Sequence, residues 1–383
     1  MRGLAYFHQG DIHFTDNLSE PKIQSGDELI LEVSWCGICG TDLHEYTDGP
    51  IFMPKDGCAN ELSGNGLPLA MGHEMSGIVS EVGSKVTRFK KGDHVVVDAG
   101  CGCLDTHRFE DTQLSGTMCN ACKIGMVNCC SHAGFIGLGV GGGGFAEKVL
   151  VAEQHCIKVP KEIPLDVAAL VEPLSVSWHA VSSSGFQRGQ TACVFGAGPI
   201  GLATILVLKG FGASKIVVSE LAKIRRVLAE SLNVETFDPS KHGKDAIEEL
   251  RKIPEGDDGF DFAFDCSGVK PTFDGALKVT TFRGTSVNLA IWGNKPIDYY
   301  PMDVTLKEKK LTGSIGYVVK DFEGVVSAIH DGRIPLSDCR HLITGKQKLE
   351  DGWEKGFLEL MNHKDSNVKI LLTPNNHGEL HST

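Results

Sequence analysis

The sequence lacks an apolar run of the roughly 18 residues that a membrane span requires. The longest apolar run, residues 202–208, is interrupted by Lys209. The N-terminal segment has no apolar signal core and reaches Asp11 quickly, and residues 381–383 match no common retention or peroxisomal signal. We therefore expect a cytoplasmic protein without a membrane partner.

Positive charge is also scarce. The chain has 37 basic and 49 acidic residues, a net charge of −12, and its longest basic cluster is residues 307–310. Nucleic-acid binding needs clustered Lys and Arg to neutralise phosphates, so nucleic acid is excluded as the main partner. Repeats and low-complexity tracts are missing too, and 41% hydrophobic with 22% charged residues excludes a mostly disordered chain.

The chain is long, and it contains many glycines and cysteines. A chain of 383 residues predicts two or three domains. The 46 glycines show no collagen-like period and indicate tight turns. The 13 cysteines are odd in number in a chain that we expect not to be secreted, so clustered thiols favour metal binding over disulfides.

Two patterns divide the chain. The N-terminal part has short β-rich segments with glycine turns, at 29–33, 78–82 and 92–97, which are typical of a barrel-like β domain. We expect a loop at 104–118 and a flexible turn at 139–144.

After about residue 190 strands and helices alternate, which predicts a parallel sheet covered by helices. The predicted strands are 191–195, 215–219, 260–264 and 285–289, the predicted helices are 200–208 and 223–232, and a helix at 322–331 and a strand at 368–372 follow.

A dinucleotide site is predicted at residues 196–201, a GxGxxG motif that follows a strand and opens a helix. Its glycines permit close approach of a pyrophosphate, which the helix N-terminus attracts. Glu220 lies 19 residues beyond Gly201, at the end of the next strand. Its carboxylate would accept ribose hydroxyls and repel a 2′-phosphate, so we predict NAD over NADP. Arg225 either flanks the adenine or is helix surface, and 265–268 follow another strand at the ligand-binding edge. The candidate cofactor-binding residues are Gly196, Gly198, Pro199, Ile200, Gly201, Glu220, Arg225, Cys266, Ser267 and Gly268.

A metal site is indicated by Cys36 and Cys39, a CxxC pair that alone suggests redox chemistry or zinc. His73 and Glu74 add an imidazole and a carboxylate. This mixed set of donors suits zinc.

Together these motifs resemble the zinc-dependent medium-chain alcohol dehydrogenases over essentially the whole chain. The motifs occur in the family's order, at 37–42, 72–74, 172–175 and 196–201. Three further stretches, 49–57, 132–135 and 351–357, are similar to the fungal butanediol-oxidising branch of that family.

The resemblance implies roles for individual residues around a catalytic zinc. Cys39 and His73 correspond to zinc ligands, and Glu172 stands where many relatives have a Cys, as ligand or neighbour of zinc-bound water. Glu74 is expected to be a catalytic residue beside the ligands or an alternating ligand, and Cys36 a buried strand residue.

A proton relay is implied as well. The family relay runs through a Ser or Thr, the nicotinamide ribose and a His, and Thr41 and His44 match it. A positioned hydroxyl and imidazole can carry the alcohol proton outward.

A structural zinc is the next implication. Cys119, Cys122 and Cys130 resemble three of the four cysteines of the family's structural lobe. The usual fourth position is Gly116 here. We favour Cys103 slightly over Cys101 as the fourth ligand; His107 is a weaker candidate, Cys129 is an alternative to Cys130, and a lobe without metal stays open.

The activity implied by the resemblance is reversible, NAD-dependent oxidation of (R,R)-2,3-butanediol to acetoin, so the expected partner is a small diol or hydroxyketone. A Glu near the metal makes the site more polar, which suits a vicinal diol. Sorbitol, xylitol and threonine are alternative substrates. A non-enzymatic NAD-binding protein and a zinc-thiolate regulatory module are the remaining alternatives.

The implied fold is α/β: a GroES-like β-barrel catalytic domain plus a Rossmann doubly wound parallel sheet. We expect the catalytic domain at 1–177 with 320–383 returning to it, and the Rossmann domain at 178–319. The active site is expected in the cleft between domains. The family pairs through the Rossmann domain, which implies a homodimer, with a tetramer as the alternative. The tail with His377 and His381 is expected to be a disordered end rather than a metal site.

Overall fold

The computed structural model describes residues 1–256, 258–293 and 296–374. The tail histidines, His377 and His381, lie outside these ranges. The chain forms two units. The first contains Met1–Glu172, Tyr317–Val326 and the described residues from Ile343 onward; the second contains Pro173–Gly316 and Ser327–Leu342.

The strands, in chain order, are β1 (Gly3–His8), β2 (Asp11–Thr15), β3 (Glu28–Gly37), β4 (Leu69–Ala70), β5 (Glu74–Val82), β6 (His94–Val97), β7 (Gly100–Cys101), β8 (Gly134–Ile136), β9 (Gly139–Gly141), β10 (Lys148–Ala152), β11 (Cys156–Lys158), β12 (Thr191–Phe195), β13 (Lys215–Ser219), β14 (Glu235–Phe237), β15 (Phe260–Asp265), β16 (Thr280–Asn288), β17 (Lys310–Gly313), β18 (Ile343–Lys348) and β19 (Lys369–Thr373). The α-helices are α1 (Gly40–Thr47), α2 (Asn120–Lys123), α3 (Leu165–Ala168), α4 (Val171–Ser184), α5 (Pro199–Phe211), α6 (Lys223–Ser231), α7 (Ala246–Arg251), α8 (Lys270–Val279), α9 (Met302–Thr305), α10 (Val319–His330), α11 (Leu336–Arg340) and α12 (Leu358–Asn362).

The first unit is built from mostly antiparallel sheets. Its largest sheet has the order β11-β6-β5-β3-β19-β18, with β10 also pairing with β3. Two smaller sheets have the orders β2-β1-β4 and β7-β8-β9. Apolar residues of β3, β5 and β6 supply much of the core, among them Leu29, Leu31, Val79 and Val95. This is the β domain that the short strands and glycine turns predict.

The second unit contains a six-stranded parallel sheet with the order β14-β13-β12-β15-β16-β17. The order reverses between β12 and β15, which is the doubly wound pattern that places ligands at the carboxyl ends of the strands. Cys193, Val217 and Ala263, one from each of three neighbouring strands, belong to its core. The predicted α/β fold, a GroES-like domain with a Rossmann sheet, is thus confirmed.

Two local expectations differ from the structure. The segment expected as a loop at 104–118 begins with the 3-10 helix Cys103–Arg108, because the Asp105 carboxylate accepts a hydrogen bond from the Gly102 N–H and closes the first turn. The glycine-rich stretch 139–144 begins with a strand, β9, which pairs with β8.

Candidate active site and metal centres

Cys39 is placed by the junction between β3 and α1. It precedes the helix in an extended conformation, and its backbone N–H donates to Asp42 Oδ2 at 2.8 Å. His73 immediately precedes β5 and Glu74 is its first residue, both after Gly72, which has a φ of 96°. Possible ligand atoms of Cys39, His73 and Glu74 all lie within 4.8 Å of one another. Sulfur, imidazole and carboxylate donors in one small group are a set that zinc binds.

The environment of His73 also suits a cation. Its ring is buried, and Nδ1 faces Asp42 Oδ1 at 3.5 Å, which leaves Nε2 for a metal. Burial alone would lower the pKa of His73, but the Asp42 carboxylate and the Cys39 sulfur raise it well above its ordinary value. The negative groups around this ring therefore favour a cation at this position.

Glu74 is ion-paired to a lysine that sequence reasoning missed. The Lys369 ammonium lies 2.6 Å from each Glu74 carboxylate oxygen and donates to the Ile38 carbonyl at 3.0 Å. Lys369 is only 3% exposed. The one signal in the sequence was a lysine inside the apolar strand segment 368–372. The pair neutralises the Glu74 carboxylate where burial of an isolated charge would be costly.

Glu172 lies in the first turn of α4 and is buried. It is outside the group that the described residues Cys39, His73 and Glu74 form within 4.8 Å. Burial raises the pKa of Glu172 to about 7, with the negative Glu74 adding to the rise and His73 opposing it. The two carboxyl groups therefore influence each other in a buried environment.

Thr41 and His44 lie three residues apart on α1, a spacing that puts two side chains on the same helix face. The Thr41 hydroxyl is 3.7 Å from Cys39 Sγ. His44 is exposed, and its Nδ1 lies 3.0 Å from Asp48 Oδ2. The Thr41 hydroxyl is thus next to the Cys39 sulfur, and the His44 ring is in contact with solvent.

The glycine motif joins β12 to α5 as predicted. Gly196 has a φ of 95°, and a Cβ there would collide with Ser267 Oγ. A Cβ on Gly201 would collide with the Gly196 carbonyl oxygen. Gly198 caps α5 and Pro199 is the first helical residue. The turn is therefore tight and leaves a helix N-terminus at the carboxyl edge of the sheet, where a pyrophosphate would bind.

Glu220 directly follows β13, and its carboxylate contacts the turn formed by the glycine motif. One carboxylate oxygen accepts a hydrogen bond from the Ala197 N–H at 2.8 Å, and the other accepts one from Ala222 at 2.7 Å. Arg225, in the first turn of α6, is half-buried. The structure thus brings Glu220 to the glycine motif, although the two are separated in sequence.

Residues 266–268 follow β15 at the same edge. The Ser267 hydroxyl donates to the Phe195 carbonyl at 3.1 Å, which ties this turn to the end of β12. Gly268 has a φ of 68°. Burial raises the pKa of the Cys266 thiol to about 12, and its sulfur lies 3.7 Å from the Thr204 hydroxyl.

A second group of sulfurs forms from Cys103, Cys119, Cys122 and Cys130, all within 4.8 Å of one another. Two measured S···S distances are 3.5 Å, between Cys103 and Cys130, and 3.9 Å, between Cys119 and Cys130. A tetrahedral zinc site with metal–sulfur bonds of about 2.3 Å has neighbouring sulfurs about 3.8 Å apart. The four residues therefore fit a structural zinc.

Three other cysteines and His107 do not belong to the group of four sulfurs. Cys101 is grouped with Asp105 and His155, and Cys129 is exposed. Cys36 is fully buried in β3. His107 is exposed and contacts the Leu104 carbonyl.

Fold and site together define a zinc-binding dehydrogenase, and comparison with known proteins agrees. Residues 25–161 match the alcohol dehydrogenase GroES-like domain family, and residues 199–331 match the zinc-binding dehydrogenase family. The chain belongs to the zinc-dependent medium-chain alcohol dehydrogenases.

Individual relatives show which members of this family the chain is similar to. The chain is 65% identical to the (R,R)-butanediol dehydrogenase of Saccharomyces cerevisiae, over 99% of this chain and 100% of that protein. It is 53% identical to a probable diacetyl reductase [(R)-acetoin forming] of the same yeast, over 99% of this chain and 92% of that protein. The crystal structure of 2R,3R-butanediol dehydrogenase from Bacillus subtilis superposes with a TM-score of 0.86 at 38% identity, covering 98% of this chain and 99% of that chain. Among the helices of the described chain, none has the length and apolar character needed to cross a bilayer.

Proposed function

We propose that this chain oxidises (R,R)-2,3-butanediol to acetoin with NAD, reversibly, at a zinc site. The alcohol loses a hydride to the nicotinamide and a proton to the protein, so one diol and one NAD give one hydroxyketone, one NADH and one proton. The observation that carries the chemistry is the convergence of Cys39, His73 and Glu74 beside Thr41. The choice of substrate is supported by the yeast relative's full-length similarity.

Cys39, His73 and Glu172 would hold the catalytic zinc. Bound there, zinc would act as a Lewis acid that acidifies an alcohol hydroxyl. Glu74 is nearer to the other two ligands, but both its oxygens are paired to Lys369. Glu172 is a buried carboxylate with a raised pKa, and a bound cation would stabilise its charged form. Zinc content of Glu172→Gln and Glu74→Gln distinguishes the two: loss in the first variant alone is expected, and loss in the second alone would reverse the assignment.

The proposed path of the alcohol proton follows α1, from Thr41 to His44. The Thr41 hydroxyl would accept the alcohol proton and pass its own proton toward His44, and His44 would take up that proton and release one to water from its exposed position. Asp48 Oδ2, 3.0 Å from His44 Nδ1, would orient the imidazole.

NAD rather than NADP is the cofactor that the second unit favours. The Glu220 carboxylate lies at the glycine motif, where it would repel a 2′-phosphate. The nearby Arg226 is engaged, because it pairs with Asp238 at 2.8 Å and donates to the Glu220 and Leu221 carbonyls. We expect a higher kcat/KM with NAD; a higher value with NADP would contradict this assignment.

The lobe formed by Cys103, Cys119, Cys122 and Cys130 would hold a second, structural zinc. Purified protein should then contain two zinc ions per chain. Cys103→Ser should retain one, whereas Cys101→Ser should retain two. Two ions in Cys103→Ser would exclude Cys103 as a ligand, and one ion in an active wild-type enzyme would indicate a lobe without metal.

A homodimer formed through the second unit is the proposed assembly. β17 is the last strand of the six-stranded sheet, and most of its residues are exposed. An edge strand offers unpaired backbone groups to a partner strand. Light scattering should give twice the 41.2 kDa chain mass; four times that mass would indicate a tetramer. A cytoplasmic location is also proposed, and microscopy of a fluorescent fusion tests it.

The decisive test is NAD reduction by the purified protein on the (R,R), (S,S) and meso isomers of 2,3-butanediol, on sorbitol and on threonine, each with and without a zinc chelator. Chelator-sensitive activity that is highest on the (R,R) isomer supports the proposal. Highest activity on sorbitol or threonine would keep the zinc chemistry and change the substrate. Zinc-loaded protein without activity on any alcohol would favour a non-enzymatic role.

A further inference from the structure

Cys103 reaches the lobe from a different part of the chain than its three partners. Cys119, Cys122 and Cys130 lie within 12 consecutive residues, whereas Cys103 stands before the segment 104–118. We propose that Asp105, held by Gln154 and His155, is the positioning residue that presents Cys103 to the lobe metal. This inference rests on the proposed structural zinc.

Asp105 is the centre of a buried hydrogen-bond network. Its Oδ2 accepts a hydrogen bond from the Gly102 N–H at 2.8 Å, immediately before Cys103. Its Oδ1 accepts one from the Gln154 amide at 2.8 Å and lies 2.6 Å from His155 Nε2. Asp105 is 2% exposed, so these partners replace water around its charge.

Gln154 and His155, the partners of Asp105, lie just after a strand of the main sheet of the first unit. Gln154 and His155 lie in the 3-10 helix Glu153–His155, which directly follows β10. The His155 carbonyl also accepts the Asp98 N–H at 2.8 Å. The helix Cys103–Arg108 is therefore fixed to the sheet through the Asp105 side chain.

A second link holds the far end of the same helix. Arg108 lies 3.4 Å from Asp105 Oδ1 and 3.4 Å from Glu28 Oε1, at the first residue of β3. Glu28 in turn accepts the backbone N–H groups of Gln24 and Ser25. The Asp105 carboxylate is therefore held by Arg108 as well as by Gln154 and His155.

The anchored backbone lies directly against the lobe sulfurs. The Cys103 N–H donates to Cys130 Sγ at 3.4 Å. A Cβ on Gly102 would come within 2.7 Å of the same sulfur. Movement of this backbone would displace one zinc ligand and remove a hydrogen bond from another, and such outer contacts tune metal affinity.

The test is Asp105→Asn in the full-length, zinc-loaded enzyme, with Glu110→Gln as the matched control. Glu110 is an exposed residue of the same segment, so its variant removes the same charge without touching the network. Transfer of zinc to a chelating dye is followed over time, while activity reports the catalytic zinc separately. We expect lobe zinc to leave at least about tenfold faster in Asp105→Asn, with the catalytic zinc released at the wild-type rate.

Lobe zinc release at the control's rate would overturn the proposal. Equal acceleration of both zinc ions would also overturn it, because that result indicates general loosening. Active wild-type enzyme with a single zinc ion per chain would instead refute the structural zinc itself. If Asp105→Asn does not fold, Gln154→Ala removes a single donor to Asp105 and is judged by the same two criteria.

Discussion

At the residue scale, the proposed proton path depends on the hydroxyl of Thr41. Thr41→Ala removes the only polar atom of that side chain, next to Cys39, and leaves all three proposed zinc ligands in place. We expect kcat to fall by about 10²–10⁴-fold, the usual contribution of a positioned proton-transfer group. Zinc content measured on the same sample should be unchanged, and near-normal turnover would remove Thr41 from the relay.

Lys369 is the second residue on which the site depends. Lys369→Met leaves the Glu74 carboxylate buried without its cation. Breaking a buried pair by removing one partner typically costs about 3–5 kcal/mol of the free energy of unfolding. Denaturant unfolding should show this loss, and the double variant Lys369→Met/Glu74→Gln should recover much of it. Equal losses in the single and double variants would show that the ion pair is not the cause.

At the element scale, a buried lysine caps a helix. Lys309 donates to the Leu277 carbonyl at 2.6 Å, at the C-terminal end of α8, where a cation is favoured. Burial, reinforced by the nearby Lys307 and Arg251, lowers the pKa of Lys309 from 10.5 to about 8.

The sign of the pH effect follows from that lowered pKa. Between pH 8 and 10.5 the unfolded chain binds a proton at Lys309 that the folded chain has released, so this group makes stability rise with pH. Relative to Lys309→Met, the wild-type free energy of unfolding should increase by about 1–3 kcal/mol across that range. Lys278→Met, at an exposed position of α8, should keep the wild-type slope; the same slope in Lys309→Met would exclude this residue as its source.

The strands and helices also show which elements the sequence pattern could predict. The strands predicted at 191–195 and 215–219 coincide with β12 and β13, because buried parallel strands have continuous apolar sequences between glycine turns. The helix at Cys103–Arg108 was missed, since its anchor is His155, fifty residues away. Local propensity carries no information about such a partner.

At the scale of the whole molecule, the two proposed metals have separate consequences. Removing the catalytic zinc with a chelator should abolish activity while the Rossmann sheet, which contributes no ligand to it, keeps its NAD affinity. Removing the lobe zinc should mainly lower thermal stability, because a metal bound only by the folded state contributes its binding energy to folding. Calorimetry and NAD titration of the two chelated states check this, and loss of NAD binding with the first zinc would contradict it.

The sequence alone determined the family, the α/β fold and the residue types of both metal groups, because zinc ligation, tight glycine turns and βαβ alternation each demand particular residues at short spacing. The tertiary structure decided which residues from distant segments come into contact. It grouped Cys103, and not Cys101, with the lobe sulfurs, and it paired Glu74 with Lys369 across 295 residues. Those outcomes depend on which strands become neighbours in a sheet, and side-chain chemistry within a short segment does not specify that.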